Sequence, residues 1–327
     1  MILILSYKAY EQGTDPVIEW LLYYKYPFKK ITIEDILSKE KSILIDSQTR
    51  DLIIDGINIT KEIHVVFYRR FKSYPNLQLS IDLGDINKKI HRETNMEIDA
   101  IIDYMFFLLK DKYWMPDYRS FSINKERVLL EAKECGLLTP RSIITNSKKE
   151  LVKFQSTVRR VINKPVDKIS YYSTGYYTYS SYATEMTRSR IKQLPDFFFP
   201  SLFQELIEAD YEIRTFFLDG HFFSSAVIRS QIMTEHNVDV KLDFNKTETD
   251  WVAFDLPNEI KKKLTILMKK LMLNTGSIDI IKSTNGDYFL IEINPVGQYL
   301  APSFLCNYNV EKHIAEWLIE KDKNLKG

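Results

Sequence analysis

The segment at residues 276–299, GSIDIIKSTNGDYFLIEINPVGQY, constrains the fold of this chain more than any other. Two apolar stretches, residues 277–281 and 288–293, flank the dipeptide Asn285-Gly286. An Asn-Gly pair between apolar stretches is the strongest short-range signal for a β-hairpin. The segment therefore predicts two antiparallel strands joined by a tight turn.

Polar side chains interrupt this apolar hairpin at Asp279, Glu292 and Asn294. Glu292 and Asn294 are two residues apart, so both side chains leave the second strand on the same face. Asp279 lies across the hairpin, on the first strand. Mg²⁺ takes oxygen ligands, usually one or two carboxylates together with substrate phosphates. The hairpin therefore predicts a metal and nucleotide-triphosphate site, and the chain contains no Walker-type glycine loop that would supply another one.

Composition limits the remaining possibilities. With 327 residues, 45% of them hydrophobic and 27% charged, the chain is long enough for two or three folded domains. A net charge of +1 provides no overall field for nucleic acid or an anionic membrane. No apolar run approaches the ~20 residues of a membrane span. We expect a soluble, cytoplasmic protein that binds neither nucleic acid nor membrane, with Cys135 and Cys306 as free thiols.

The first third of the chain has the pattern of a β/α unit without a catalytic motif of its own. Strands are predicted at residues 1–6, 31–33, 42–46 and 64–68, with a strand pair at 51–59 and helices at 15–24 and 87–109.

Helices and hairpins alternate in the remaining two thirds. Helices are predicted at residues 124–135, 148–154, 258–273 and 310–319, strands at 142–145 and 160–165, a strand or hinge at 200–207, and a hairpin at 211–231. Residues 170–184 are rich in Ser, Thr and Tyr and predict strands joined by a mobile loop.

Five short elements in a fixed order resemble the ATP-grasp superfamily. They are Asn124-Lys125, Lys164-Pro165, Gln204-Glu205-Leu206-Ile207, Glu212-Ile213-Arg214, and the D…E-I-N-P pattern from Asp279 to Pro295. The resemblance covers essentially the whole chain. It implies an α/β (α+β) ATP-grasp fold with an N-terminal β/α pre-ATP-grasp domain at residues 1–115. A central small α/β domain at 116–203 and a C-terminal antiparallel-sheet domain at 204–327 would hold ATP between them.

Within this superfamily the chain is similar to the graspetide (microviridin-type) peptide maturases, nearest the grasp-with-spasm branch. The residues that carry this similarity are Val65-Val66-Phe67-Tyr68-Arg69-Arg70, Tyr113-Trp114, the run at 124–146, and Ile228-Arg229-Ser230-Gln231.

The superfamily resemblance assigns the nucleotide-binding roles. Lys125 and Lys164 would contact the ATP phosphates, a role that suits flexible ammonium groups. The backbone of the hinge would hydrogen-bond to the adenine edge, so side-chain identity should matter little there; its residues are Gln204, Glu205, Leu206 and Ile207. Glu212 would bind the ribose hydroxyls, and its alternative interpretation is an exposed strand glutamate.

The resemblance also assigns the reacting end of the site. Asp279, Glu292 and Asn294 would hold Mg²⁺, with two ions expected; a buried carboxylate pair with no cation between its members is costly. Arg214 would bind an acyl phosphate or a substrate carboxylate with two parallel hydrogen bonds. Arg229 would assist it, or form an ordinary cross-strand ion pair with Glu212. The covering loop at 170–184 has only Gly175 where relatives have several glycines, and no residue is a clear general base.

The expected activity is that of an ATP-dependent ligase. It would activate Glu or Asp side chains of a ribosomally made precursor peptide as acyl phosphates, then close ω-ester rings with Thr or Ser, or ω-amide rings with Lys. The peptide's leader would bind near the aromatic stretch at 171–182, and the enzyme would be a homodimer.

Three alternatives stay open from the sequence. They are a ligase that adds amino acids to a small molecule or a protein C-terminus, a low-turnover ATP-binding regulatory module, and a kinase that stops at phosphate transfer. The precursor's sequence, its ring pattern and the choice of ester or amide are not determined by these residues.

Overall fold

A computed structural model describes residues 1–37, 40–71, 84–167, 171–174, 177–180, 183–229 and 249–325, and gives only the backbone for 171–173, 177–180, 229 and 249. The chain forms two compact units. The first comprises Met1–Phe121, Gln298–Ser303 and Asn309–Gly327, and the second comprises Ser122–Gly297 and Phe304–Tyr308. The division into three domains at residues 115 and 203 stays a prediction.

The described helices, in chain order, are α1 (Asp15–Tyr23), α2 (Ile33–Ile36), α3 (Ile59–Glu62), α4 (Asp85–Leu108), α5 (Lys125–Glu134), α6 (Lys148–Gln155), α7 (Arg188–Gln193), α8 (Asn258–Lys270), α9 (Leu300–Leu305) and α10 (Val310–Asn324), with a 3₁₀ turn at Tyr118–Ser120. Across the described ranges, none of these helices combines the length and apolar character that crossing a membrane needs.

The described strands are β1 (Ile2–Leu5), β2 (Phe28–Ile31), β3 (Ile43–Asp46), β4 (Asp51–Ile54), β5 (Ile57–Asn58), β6 (Val65–Tyr68), β7 (Tyr113–Met115), β8 (Ser142–Ser147), β9 (Val161–Lys164), β10 (Tyr171–Thr174), β11 (Tyr177–Ser180), β12 (Thr184–Glu185), β13 (Phe197–Glu205), β14 (Ala209–Leu218), β15 (His221–Arg229), β16 (Thr249–Phe254), β17 (Thr275–Ser283) and β18 (Tyr288–Asn294).

The first unit is built on a parallel sheet in the order β2-β1-β6-β7. Both central strands, β1 and β6, are buried along their whole length. Continuous apolar runs such as ILIL and VVFY are typical of parallel strands covered on both faces. A small antiparallel sheet, β3-β4-β5, turns at Asp55-Gly56. The predicted N-terminal β/α unit is thus confirmed.

The prediction of a strand at residues 31–33 was wrong. Strand β2 ends at Ile31 and helix α2 begins at Ile33, with Thr32 between them as the N-cap. The Thr32 hydroxyl accepts a hydrogen bond from the Asp35 N–H, and the Asp35 carboxylate accepts one from the Thr32 N–H. This reciprocal capping box starts a helix despite the β-branched residues on either side.

The second unit contains two larger antiparallel sheets. The first has the order β12-β9-β13-β8, and the second has the order β16-β15-β14-β17-β18; β10 and β11 form a separate hairpin. Helices α6 and α7 bury Leu151, Phe154 and Ile191 together with Val161 and Phe203 of the first sheet. Each sheet therefore has one apolar, helix-covered face.

The core of the larger sheet leaves its other face available for a site. Helices α5 and α8 pack on one face through Val128, Leu129, Leu264, Leu267 and Met268. The buried strand residues that meet them are Ile213, Phe217, Ile278, Ile280, Leu290 and Ile293. Because side chains alternate along a strand, the intervening residues project to the opposite face.

Candidate active site

The predicted carboxylate hairpin is formed by β17 and β18, and it contains a β-bulge. From the turn onward the pairing is regular up to Ile280 opposite Leu290, but the next pair is Asp279 opposite Glu292. Ile291 is therefore an extra residue in β18. Such bulges re-aim side chains and are common beside active sites.

The bulge decides on which face Glu292 lies. Continued without it, the pairing would set Asp279 opposite Ile291 and Glu292 opposite Ile278, which belongs to the apolar core. With it, Leu290 is buried in the core while both Ile291 and Glu292 line a cavity on the other face. Asp279 and Glu292 consequently become direct cross-strand neighbours on one face.

Four residues form a row across this face of the sheet. Ser225 on β15 pairs with Arg214 on β14, Arg214 pairs with Asp279 on β17, and Asp279 pairs with Glu292 on β18. Arg214 Nε lies 3.7 Å from Asp279 Oδ1. The guanidinium and the two carboxylates are therefore adjacent along one line.

Lys125 adds a second cation to this row. It is the first residue of α5, whose N-cap is Asn124; the Asn124 Oδ1 accepts a hydrogen bond from the Arg127 N–H at 3.0 Å. Lys125 Nζ lies 3.3 Å from Glu292 Oε1. Both carboxylates thus have a protein cation within reach, so repulsion between them does not by itself require a metal ion.

The opposite wall of the cavity comes from the smaller sheet. On β9, Val161 is part of the apolar core whereas Ile162 and Lys164 line the cavity. On β13, Phe203 lies in the core and Gln204 lines the cavity. The two-residue alternation therefore delivers Lys164 and Gln204 to the same face of this sheet.

The hinge after β13 continues this wall with few free backbone donors. The Glu205 N–H donates to the Arg141 carbonyl at 2.8 Å, and the Leu206 N–H donates to the Arg160 carbonyl at 3.0 Å. Within the described ranges the Ile207 N–H donates to no carbonyl. Of these three hinge N–H groups, that of Ile207 is therefore the one available to a bound base.

One cavity brings together most of the predicted site residues. They are Lys125, Lys164, Gln204, Glu205, Leu206, Ile207, Glu212, Arg214, Asp279 and Glu292. The free space is about 960 Å³, open solvent at the mouth included, which lies in the range of roughly 300–1,000 Å³ common for small-molecule sites. The sequence analysis missed the apolar lining, to which Pro140, Ile162, Ala183, Ile281 and Ile291 contribute.

Two predicted residues stand apart from this cavity lining. Asn294 pairs with Ser277 and lies one row beyond Glu292 on the sheet. The loop that follows it packs tightly, since a Cβ on Gly297 would lie 2.2 Å from Ser277 Oγ. Arg229 ends β15 opposite Thr249, but its side chain, like Gly175 and Ser230-Gln231, is outside the described part of the chain.

The oxygen donors fit Mg²⁺ better than they fit zinc. No group of three or more His, Cys, Asp or Glu side chains in the described ranges is arranged to hold a metal. Mg²⁺ keeps much of its coordination from water and substrate phosphate, and it needs only one or two protein carboxylates. Asp279 and Glu292, with the Asn294 amide one row away, supply that smaller set.

No protein-family model matches this chain, and no curated protein matches it. Solved structures match it closely in three dimensions. The macrocyclase MdnC bound with precursor peptide MdnA, from Microcystis aeruginosa MRC, superposes with a TM-score of 0.81 at 22% identity, covering 98% of this chain and 99% of that one.

Two further structures are similar over equally long stretches. A RiPP-associated ATP-grasp ligase from Chryseobacterium gregarium, in complex with ADP and a leader and core peptide, has a TM-score of 0.78 at 22% identity and covers 98% of this chain and 96% of that one. The ATP-grasp ligase PsnB, complexed with a precursor variant, Mg and ADP, has a TM-score of 0.75 at 17% identity, with 98% of both chains covered. This chain therefore has the ATP-grasp fold along essentially its whole length.

Proposed function

We propose that this chain is an ATP-dependent ligase that modifies a ribosomally made precursor peptide. It activates a Glu or Asp side chain as an acyl phosphate and joins it to Thr or Ser as an ω-ester, or to Lys as an ω-amide. The observation that carries the proposal is the single cavity in which Lys125, Lys164 and Arg214 meet Asp279 and Glu292. Peptide-bound ligases among the structural neighbours support the choice of substrate.

The two walls divide the work of binding ATP. The Ile207 N–H faces the base, Glu212 binds the ribose hydroxyls, and Lys164 neutralises phosphate charge from the end of β9. Lys125 contributes from the N-terminus of α5, where the helix dipole also favours an anion. Asp279, Glu292 and Asn294 would hold Mg²⁺, which neutralises charge on the phosphates when bound.

Arg214 positions the acceptor. Its guanidinium lies beside Asp279, so a carboxylate that it binds is held next to the terminal phosphate. An oxygen of that carboxylate attacks the γ-phosphorus, the bond to the β-phosphate oxygen breaks, and ADP leaves. A hydroxyl or amine of the same peptide then attacks the acyl carbon, loses its proton, and expels inorganic phosphate.

The product's mass tests the proposal. With a cognate precursor, ATP and Mg²⁺, we expect the peptide to lose the mass of one water for each ring, and mild alkaline hydrolysis should open the rings because we propose esters. Omitting ATP, or changing the core Glu and Asp residues to Gln and Asn, should prevent the loss. A gained phosphate would indicate a kinase, an added amino acid a terminal ligase, and unchanged peptide with low turnover a regulatory module.

Lys164→Met should weaken nucleotide binding far more than peptide binding, because the ammonium group is assigned to phosphate. Isothermal titration calorimetry with a non-hydrolysable ATP analogue measures the first affinity, and fluorescence anisotropy of labelled precursor measures the second. Lys153→Met, on an exposed position of α6, is the matched control. An unchanged nucleotide affinity together with a lost peptide affinity would show that the role of Lys164 is misassigned.

The remaining parts of the proposal follow from the resemblance. We infer a cytoplasmic homodimer, with domain boundaries near residues 115 and 203 and the leader bound near residues 171–182. Light scattering of the purified protein measures the oligomeric state, and a monomer at working concentration would remove that part alone.

A further inference from the structure

The side chain of Gln204 is buried without a hydrogen-bond partner. It is only 1% exposed, and its Nε2 atom is shielded from solvent and contacts no acceptor in the described ranges. Buried amide groups are nearly always hydrogen-bonded, because leaving one unpaired costs free energy. Gln204 also lines the cavity. A buried, unpaired amide facing a cavity indicates a partner that the chain itself does not supply.

The neighbours of Gln204 hold this amide in the middle of the wall. Its cross-strand partners are Ile162 on β9 and Ser142 on β8. Ile162 offers no polar atom, and the Ser142 hydroxyl donates to a carboxylate oxygen of Glu126. The hinge N–H group that is available to a base, that of Ile207, follows three residues later in the chain. The amide and this N–H therefore border the same end of the cavity.

We propose that the Gln204 side chain hydrogen-bonds to the N6/N7 edge of adenine and sets the preference for ATP over GTP. This inference rests on the proposed function, in which the cavity binds ATP. A carboxamide has one acceptor and one donor, and these match the adenine N6 amino group and N7 as a pair. Guanine presents two acceptors there, O6 and N7, so the amide oxygen would face O6 unpaired. Side-chain identity at the hinge then matters, contrary to the expectation from sequence.

A buried water is the competing explanation for the same geometry. Oε1 of Glu126 is a second buried atom without a partner in the described ranges, and Glu126 is joined to the row of Gln204 through Ser142. A water bridging Glu126 and Gln204 would satisfy both groups. In that case the amide has a structural role and the choice of nucleotide is independent of it.

Gln204→Met separates the two explanations because methionine keeps the length of the side chain and removes the amide. We measure dissociation constants for ATP, GTP and 7-deaza-ATP, which carries a C–H in place of N7. We expect ATP to bind about tenfold more weakly to the variant, as for the loss of buried hydrogen bonds, and the preference for ATP over GTP to shrink. Wild type should prefer ATP to 7-deaza-ATP, whereas the variant should bind both equally.

Two further measurements keep the test decisive. The thermal midpoint of ligand-free Gln204→Met should equal or exceed that of wild type, since an unpaired amide has been removed. Glu126→Gln should leave the ATP-to-GTP ratio unchanged. An unchanged ratio in Gln204→Met, or an equal penalty for 7-deaza-ATP in both proteins, overturns the inference. If the variant does not fold, equal binding of ATP and 7-deaza-ATP by wild type overturns it. Wild type that binds no nucleotide contradicts the proposed function instead.

Discussion

Glu292→Ala should abolish ATP-dependent product formation while leaving a folded protein. Glu292 is assigned to the metal, and losing one ligand of a catalytic metal removes several kcal/mol of transition-state stabilisation, a fall in kcat/KM of about a thousandfold or more. Coupled detection of ADP and mass spectrometry of the precursor measure the loss. Asp279→Ala and Asn294→Ala should behave in the same way.

The control for this experiment lies on the same hairpin. Asp287 is exposed in the turn and distant from the cavity lining, so Asp287→Ala should retain activity. Near-normal product formation by Glu292→Ala would sink the metal assignment.

A structural role for Glu292 can also be separated from a catalytic one. Glu292 Oε1 lies 3.3 Å from Lys125 Nζ, so its removal leaves a cation without that partner. If Glu292 served only to neutralise Lys125, the double variant Lys125→Met/Glu292→Ala should recover activity. We expect instead that the double variant stays inactive and that only its thermal midpoint recovers.

Arg214→Ala should prevent peptide dehydration while largely sparing nucleotide binding. The guanidinium is assigned to the substrate carboxylate or its acyl phosphate, and an interaction strongest in the transition state affects turnover more than ATP affinity. Precursor mass after incubation reports the first property, and calorimetry with an ATP analogue reports the second.

Two companion variants sharpen this result. Arg214→Lys keeps the charge but loses the planar pair of donors, so it should recover only part of the activity. Arg159→Ala, at an exposed arginine paired with Glu208, should behave as wild type. Loss of nucleotide affinity in Arg214→Ala that equals the loss of product would instead place Arg214 with the ATP phosphates.

Short-range signals in the sequence were reliable where local physics decides the conformation. Gly286 adopts a φ of +90° in the turn between β17 and β18, as Asn285-Gly286 predicted. Asn124 caps α5 and Gly136 follows it at a φ of +78°, which is the expected helix ending. Where a capping box competed with apolar residues at Thr32, the strand prediction failed.

The composition of the cavity was only partly predictable. Polar residues recognised by resemblance lie in it, from Lys125 to Glu292, because each follows a strand end or helix start that the sequence marks. The apolar lining depends on which face of each strand turns inward. For Ile162 the alternation along β9 gives that answer, but only once β9 is known to pair with β13.

The sequence by itself determined the hairpin, the helix ends and the order of the five ATP-grasp elements, because turns, caps and strand periodicity depend on neighbouring residues. Tertiary structure alone decided that Asp279 meets Glu292. The turn register would set Asp279 opposite Ile291, and the bulge at Ile291 shifts that pairing by one residue. A one-residue shift reverses which face a side chain occupies. Here the buried Leu290 and Ile293, which pack against α5 and α8, are compatible with a cavity-facing Glu292 only if that extra residue is present.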